Sequence, residues 1–349
     1  MKVAVVLFNL GGPDSPEAVQ PFLRNLFSDP AIITLPRIAR MPLAWLVARR
    51  RAPVARAIYG HIGGRSPIFE ETRAQADALE KALARDGVDA KAFVAMRYWH
   101  PFSDGAARAV GAYKPDRIVL LPLYPQYSTT TTGSSFTDWT RAAKRAGLTQ
   151  PTAAICCYPA EDGFAAAAAA HIRKAMDGAT DAVSYRLLLS AHGLPRRVIG
   201  KGDPYQWQVE QSAAAIVEKL AMPELEPVVC YQSRVGPLEW IGPSTDAEIA
   251  RAGTDGKGVV VFPIAFVSEH SETLVELDIE YAKLARRHGV KDYRRAPTVG
   301  AQAAFVGGLA NLVRQAMSSQ REDASLDITS STGSRLCPQN FCRCGMEKF

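Results

Sequence analysis

Short apolar segments rich in β-branched residues alternate with helical patterns along most of this 349-residue chain. Each of these segments has the length and composition of a buried strand. The predicted strands cover residues 2–9, 92–96, 117–123, 152–157, 185–190, 227–232 and 259–262. Strands that are separated by helices pair in parallel, because the helix returns the chain to the same edge of the sheet. The pattern therefore predicts an α/β fold of two doubly wound halves with parallel sheets.

The length of the chain favours two domains, which we place at residues 1–160 and 161–318. Residues 319–349 form an extension, of which the polar part 319–335 is predicted to be a tether without regular structure. No apolar run approaches the roughly 18 residues of a membrane-spanning helix. The N-terminus has a short apolar run that leads into a Gly-Gly-Pro turn instead of a cleavage site. We therefore expect a cytoplasmic protein.

An acidic turn follows the apolar strand 259–262. Ser268, Glu269, His270, Ser271 and Glu272 lie between this strand and a helix predicted over 271–287. In parallel α/β sheets, ligands bind where strands end and helices begin. A helix that starts near Ser271 places Glu272 and Glu276 on one face. The alternative is a solvated acidic first turn, which suits the helix dipole.

His192 directly follows a predicted strand and is flanked by small residues and a proline. Imidazole is the side chain best suited to accept a proton near neutral pH. The alternative is a histidine that is merely hydrogen-bonded in a loop. The sequence lacks Gly-x-Ser-x-Gly, His-Glu-x-x-His, a Walker sequence and a Gly-x-Gly-x-x-Gly after the first strand. A hydrolase triad, a zincin, a P-loop enzyme and a nicotinamide Rossmann enzyme are therefore disfavoured.

The net charge of +6 is unevenly distributed, since residues 31–60 contain six arginines and no acidic residue. Nucleic acid, an anionic membrane and an acidic small molecule are all possible partners for such a surface. Within it, residues 35–51 mix apolar and basic side chains. This segment is predicted to be either an ordinary surface helix or an interfacial helix that lies on a membrane.

Several motifs follow one another along the chain: LGGP (10–13), IGGRSPI (62–68), RYWHP (97–101), YPQYS…TGSS (124–135), SAHGLP (190–195), GDPY (202–205), YQSRVGPLEWIGP (231–243) and PIAFVSEHSETLVELDIEY (263–281). Together these motifs resemble those of the ferrochelatase family, bacterial type. The resemblance implies two Rossmann-like domains with a porphyrin cleft between them. It also implies insertion of Fe²⁺ into protoporphyrin IX to form protohaem, the final step of haem biosynthesis.

The resemblance also implies roles for individual residues. His192 is expected to accept the pyrrole protons or to bind the metal, and Glu272 is its paired carboxylate. The expected metal-contacting residues are His192, Glu272, Glu269, His270 and Glu276. The residues expected to line the porphyrin site are Leu10, Ser66, Arg97, Tyr98, Trp240 and Phe266. Arg97 is a suitable partner for a propionate, and Leu10 is aliphatic where some relatives have a side chain that could bind metal. Residues 35–51 match a hydrophobic lip that can dip into a membrane.

Three cysteines, Cys337, Cys342 and Cys344, lie close together near the C-terminus. In a reducing compartment such a group indicates metal or iron–sulfur ligation more than disulfides. By resemblance, some ferrochelatases hold a [2Fe–2S] cluster with three such cysteines and one from the body of the protein. Here we expect Cys156 or Cys157 as the fourth ligand and Cys230 in the core. The alternative is a disordered tail with reactive thiols.

Other functions remain open at this point. The same fold could insert iron into coproporphyrin III or cobalt into a tetrapyrrole of the B12 pathway. A haem or metal carrier without turnover and an anion-binding module are candidates from other classes. The expected partners are protoporphyrin IX, ferrous iron and the inner membrane surface, without nucleic acid or nucleotide, in a monomer or homodimer.

Overall fold

The structure, a computed structural model, describes residues 1–180, 182–234, 238–319 and 326–347. The chain divides into two compact units. The first contains Met1–Cys157, Ala310–Leu336 and Gly345–Phe349, and the second contains Tyr158–Leu309 and Cys337–Cys344. The domain boundaries proposed from the sequence remain a prediction about where independent domains begin and end.

The first unit is built on a parallel sheet with strand order β2-β1-β3-β4-β9. Its strands are β1 (Lys2–Asn9), β2 (Asp89–Met96), β3 (Arg117–Pro122), β4 (Thr152–Ile155) and β9 (Leu326–Thr329). Its helices are α1 (Val19–Phe27), α2 (Arg37–Gly60), α3 (Ile68–Arg85), α4 (Ser103–Tyr113) and α5 (Thr132–Arg145). Seven of the eight residues of β1 are buried, because this strand is central and packed on both faces.

The second unit is built on a parallel sheet with strand order β6-β5-β7-β8. Its strands are β5 (Tyr185–His192), β6 (Glu226–Gln232), β7 (Gly258–Pro263) and β8 (Tyr293–Arg295). The helices are α6 (Asp162–Ala175), α7 (Arg196–Ile199), α8 (Tyr205–Leu220), α9 (Thr245–Thr254), a π-helix (Glu272–Tyr281), α10 (Ala282–Arg287) and α11 (Ala303–Ser319). The residues of α11 from Ala310 onward belong to the first unit. Because β5, β6 and β7 are parallel neighbours, their carboxyl ends meet at one edge of the sheet.

The predicted α/β class with parallel sheets is confirmed, and most predicted elements lie within a few residues of the observed ones. The prediction of a structureless tether is wrong for residues 326–329, which form β9 and pair in parallel with β4. Ile328 packs there against Tyr127, Cys156 and Cys157. The edge of β4 is thereby covered by another strand, which satisfies its backbone groups. Residues 320–325 of the predicted tether lie outside the described residues.

The basic segment forms the 24-residue helix α2 (Arg37–Gly60). Ala44, Ala48 and Ala52 are buried at a spacing of four residues, so small side chains pack this face of the helix onto the first unit. Ile38 is 91% exposed on the same helix. In the described residues, no helix combines the length and the apolarity that crossing a membrane requires.

Candidate active site

The site lies at the carboxyl edge of the second sheet, where three neighbouring strands end. His192 is the last residue of β5, two residues beyond the predicted end of that strand, and Ser233 directly follows β6. Glu272 and Glu276 lie on the π-helix that comes after β7. Parallel pairing therefore brings His192, Ser233 and the two glutamates together, although these elements are 39 or more positions apart in sequence.

His192 and Glu272 form a direct pair, with Nδ1 of the imidazole 2.8 Å from Oε2 of the carboxylate. Their side chains are 37% and 30% exposed, so the pair is partly open to solvent. The hydroxyl of Tyr205 donates to the backbone oxygen of His192 over 3.0 Å. Because Nδ1 is engaged by Glu272, the ring is oriented and Nε2 is the nitrogen left to meet a substrate.

Glu276 is held by residues at the end of β6. The amide N–H of Ser233 donates to Oε1 of Glu276 over 2.9 Å, and the side-chain amide of Gln232 donates to Oε2 over 3.2 Å. The hydroxyl of Ser233 lies 2.5 Å from Oε2 of Glu276 and 3.2 Å from Oε2 of Glu272. The two carboxylates thus face the same side of their helix, as their spacing predicts.

The helix that carries them differs from the predicted α-helix. Residues Glu272–Tyr281 form a π-helix, and the α-helix α10 begins only at Ala282. A π-helix bonds each N–H five residues back, and such segments occur frequently at functional sites. The wider turn of a π-helix changes the angle between successive side chains. The pattern of apolar residues in the sequence did not predict this change.

The environment of the site shifts the pKa values of His192, Glu272 and Glu276 in different directions. Burial by itself lowers the pKa of His192, but the charge and hydrogen bond of Glu272 outweigh it, so the pKa is raised. Burial also opposes the charged form of Glu272, yet His192 outweighs it and lowers the pKa of this carboxyl. Burial and the charge of Glu272 raise the pKa of Glu276. The site therefore stabilises a proton once His192 has accepted it, and the raised pKa of the second carboxyl favours proton uptake there as well.

Replacing Glu272 with glutamine is expected to lower the pKa of His192. In the unmutated protein the ring should titrate above the ordinary value of 6.5, because the carboxylate stabilises the imidazolium. The glutamine keeps a polar side chain but removes the charge, which leaves burial as the main influence. NMR titration of the histidine ring protons measures both values. An unchanged pKa in Glu272→Gln would contradict the assigned cause.

Glu269 and His270 have partners of their own. Arg295 donates to Glu269 over 2.6 Å, and the N–H of Thr298 donates to it over 2.9 Å. Arg295 also pairs with Asp278 over 2.7 Å. Burial raises the pKa of Glu269, but Arg295 overcomes this effect and the net shift is downward. Glu269 is thus a carboxylate already neutralised by an arginine.

His270 is buried, and its ring centre lies 4.4 Å from that of Phe266. Burial lowers the pKa of His270 and favours the neutral imidazole. Its Nδ1 has no hydrogen-bond partner within the part of the chain that the structure describes. Across those described ranges, no three histidine, cysteine, aspartate or glutamate side chains form a ready-made metal site.

Comparison with known proteins identifies the family. The sequence model of the ferrochelatase family, described as "Ferrochelatase", matches residues 2–317. The chain belongs to the ferrochelatase family. A curated ferrochelatase of Phenylobacterium zucineum is 55% identical over 99% of this chain and 98% of its own length. A ferrochelatase of Caulobacter vibrioides is 54% identical over 98% of this chain and 97% of its own.

Solved structures support the fold. SirB from Bacillus subtilis with Fe³⁺ matches with a TM-score of 0.52 and 15% identity, covering 90% of this chain and 96% of that chain. The sirohydrochlorin chelatase SirB in complex with cobalt, from the subspecies spizizenii, also gives 0.52, at 14% identity over 91% and 97% of the two chains. At this identity the likeness establishes a shared chelatase-like α/β fold and nothing more.

The first unit contains four of the residues that the ferrochelatase resemblance assigns to the porphyrin site. Leu10 is partly buried against an apolar cluster, and Ser66 is buried. Tyr98 is almost fully buried, and its hydroxyl donates to Asp29 over 2.8 Å. Arg97 pairs with the same carboxylate over 2.8 Å, so this guanidinium already has a partner. The assignment of these residues to the porphyrin remains a prediction.

The other two assigned residues belong to the second unit. The ring centre of Phe266 lies 6.3 Å from that of His192, which places an aromatic side chain beside the imidazole. Trp240 is partly buried and forms an isolated backbone bridge with Pro195, in the segment that follows His192. Residues 235–237, part of the motif around Trp240, lie outside the described residues.

The C-terminal cysteines of this ferrochelatase-family chain are not on a loose tail. All six cysteines are free thiols. Cys337 is buried and accepts a hydrogen bond from the side-chain amide of Gln208 over 3.1 Å. Cys342 is exposed, and its sulfur packs closely against Gly202. A Cβ on Gly202 would lie only 2.6 Å from this sulfur. Cys344 is buried.

Cys156 and Cys157 directly follow β4, which ends two residues before the predicted end of the strand, and their sulfurs are 3.3 Å apart. Gly345, the residue after Cys344, packs so closely that a Cβ on it would lie 2.9 Å from Cβ of Cys156. Cys230 is fully buried in the core of the second unit, as predicted. Reduced thiols of this kind fit an iron–sulfur group in their donor chemistry.

Sequence reasoning missed several residues that support the site. Ser233 and Gln232 lie in a motif that the sequence singled out, but no role was assigned to them. Arg295 is the last residue of the short strand β8, and apart from its charge nothing in the sequence indicated that it supports the site. Asp29 could have been suspected only as an acidic residue in an otherwise basic and apolar neighbourhood.

Proposed function

We propose that the protein catalyses insertion of Fe²⁺ into protoporphyrin IX, which forms protohaem in the final step of haem biosynthesis. The observation that carries this proposal is the His192–Glu272 pair at the carboxyl edge of the second sheet, in a chain of the ferrochelatase family. Iron and porphyrin are the substrates. For each Fe²⁺ that enters the macrocycle, two pyrrole protons must leave.

The residues of the site are suited to this proton balance. We assign Nε2 of His192 to accept a pyrrole proton, while the bond at Nδ1 holds the ring. Because Glu272 stabilises the imidazolium, His192 is a stronger base than an isolated imidazole. Glu276, whose pKa is raised, is placed to take up a proton or to contact the cation in transit. Carboxylates and imidazole bind a divalent cation reversibly enough to release it.

Metal insertion by the purified protein tests the function. Under anaerobic conditions, protoporphyrin IX with Fe²⁺ should lose its fluorescence and gain the absorption bands of haem. Parallel reactions with coproporphyrin III, and with Co²⁺ in place of Fe²⁺, test the neighbouring substrate choices. Faster insertion into coproporphyrin III would move the assignment to that substrate. Tight porphyrin binding without any insertion would indicate a carrier.

We further propose that Cys337, Cys342, Cys344 and either Cys156 or Cys157 hold a [2Fe–2S] cluster. The support is the ordered placement of the three C-terminal thiols and the packing of Gly345 against Cys156. When bound, the cluster would supply a one-electron redox centre. No step of metal insertion is assigned to it.

Protein purified without air should contain about two iron and two sulfide per chain if this cluster is present. Cys342→Ser should remove most of both, because it deletes one of the ligands. Cys230→Ser is the matched control, since its thiol lies in the core and should leave the iron and sulfide content unchanged. Equal contents in the unmutated protein and Cys342→Ser would contradict the ligand assignment.

We propose that helix α2 places the protein on the cytoplasmic face of the membrane as a peripheral protein. Ile38 is 91% exposed and Trp45 is 45% exposed, with Arg49 stacked 5.4 Å from the indole. Exposed apolar side chains beside arginines suit an anionic lipid surface.

Binding to vesicles tests this surface. The protein should sediment with vesicles of anionic phosphatidylglycerol and less with neutral phosphatidylcholine. Ile38→Asp should weaken binding several-fold, because it replaces an apolar contact with a charge that the lipid repels. Leu238→Asp, an exposed apolar residue of the second unit, is the control. Equal binding of all three proteins would contradict the role of α2.

A further inference from the structure

Ser233 has an unusual backbone. It lies in the left-handed region at φ 61°, which residues with a side chain rarely adopt. Among the described residues, Lys114 and Ala221 are the other non-glycine residues with positive φ, and both directly follow a helix. Helices commonly end in this conformation. Ser233 instead follows a strand, at the edge of the sheet where the candidate active site lies.

This conformation lets Ser233 use two donors on one carboxylate. Its N–H donates to Oε1 of Glu276 over 2.9 Å, and its hydroxyl is 2.5 Å from Oε2 of the same side chain. The hydroxyl is also 3.2 Å from Oε2 of Glu272, the oxygen that pairs with His192. Ser233 therefore contacts both carboxylates of the site. Because Glu272 in turn holds Nδ1 of His192, Ser233 is also linked to the imidazole through this carboxylate.

We propose that Ser233 is a positioning residue for metal insertion, which fixes Glu276 directly and orients His192 through Glu272. The inference rests on the proposed function. Strained backbone conformations persist where the surrounding structure holds them, and they concentrate at functional sites. A glycine would adopt this conformation without strain but would lack the hydroxyl. The presence of serine is explained if the hydroxyl bonds matter more to the protein than relief of the strain.

Two variants separate these contributions. Ser233→Ala removes the hydroxyl and leaves both the strained backbone and the N–H bond to Glu276. Ser233→Gly removes the hydroxyl and also relieves the strain. Loss of a hydrogen bond to a charged group corresponds to roughly 10- to 100-fold. We expect kcat for insertion to fall by that factor in both variants, with KM for the porphyrin nearly unchanged, while Tm rises in Ser233→Gly.

Ala221→Gly is the matched control. Ala221 has φ 51° at the end of α8 in the same unit, so its replacement relieves comparable strain away from the site. The Tm of Ala221→Gly should rise, and its kcat should equal that of the unmutated protein. A role for Ser233 in folding alone would make Ser233→Gly behave like this control, with higher Tm and full activity. That result would overturn the proposal.

A second measurement does not depend on turnover. In the protein without porphyrin or metal, the ring ¹H and ¹⁵N signals of His192 at one fixed pH report its bond to Glu272. We expect them to move in Ser233→Ala and to stay unchanged in Ala221→Gly. Absence of insertion by the unmutated protein would defeat the proposed function, whereas unmoved His192 signals in Ser233→Ala would overturn the positioning role whether or not insertion occurs.

Discussion

Replacing His192 with alanine is expected to lower kcat for metal insertion by about 10²- to 10⁴-fold. The imidazole is the side chain of the site whose Nε2 is available to take a pyrrole proton while Nδ1 is held by Glu272 over 2.8 Å. Without it, water or the carboxyl groups of Glu272 and Glu276, which are ordinarily weaker bases than imidazole, must accept the proton. Insertion of Zn²⁺ or Fe²⁺ into protoporphyrin IX, followed by porphyrin fluorescence, measures the loss.

Two controls keep this result interpretable. Porphyrin affinity, measured by fluorescence titration, should change little in His192→Ala, because the proposed role concerns the proton. His288→Ala removes an exposed histidine after α10 and should keep full activity. Turnover of His192→Ala within a factor of two of the unmutated protein would exclude His192 as the main proton acceptor.

Replacing Arg295 with methionine is expected to destabilise the protein by about 3–5 kcal/mol, the typical effect of removing one partner of a buried ion pair. Arg295 and Glu269 are only 13% and 16% exposed, and their side chains are 2.6 Å apart. Methionine has a similar volume, so the main consequence is an uncompensated carboxylate in a dry environment. Urea denaturation at neutral pH measures the change in the free energy of unfolding.

The matched control for Arg295 is an exposed ion pair. Arg196 and Glu239 are 64% and 76% exposed, so Arg196→Ala should change stability by less than about 1 kcal/mol. A double variant, Arg295→Met with Glu269→Gln, should recover part of the lost stability, because the more buried of the two carboxylates that Arg295 pairs with no longer carries a charge. An Arg295→Met protein as stable as Arg196→Ala would show that Glu269 is solvated after all.

Much of the fold follows from local sequence patterns. The uniform apolar runs of β1 and β7 indicate that both strands are buried on both faces, and such a run is read from neighbouring residues alone. His192 and the acidic turn stood out for the same reason, since each directly follows such an apolar segment. In a parallel sheet all strand ends meet at one edge, so the approximate location of the site also followed from sequence.

The partners within the site did not follow from sequence. Glu272 and Glu276 are similar residues on one helix, yet one pairs with His192 and the other is held by Ser233. Glu269, which is predicted to contact the metal, has its charge neutralised by Arg295, 26 positions away. Such pairings depend on which side chains the sheet order brings within about 3 Å, and that order is a property of the whole unit.

Sequence by itself determined the class of fold, the strand ends that carry the chemistry and the family. Tertiary structure decided the π-helix, the left-handed backbone of Ser233, the pairing of β9 with β4 and the direction of each pKa shift. The physical reason is the range of the interactions. Periodicity records burial that each short segment carries with it, whereas hydrogen bonds, ion pairs and desolvation depend on groups that only the folded chain brings together.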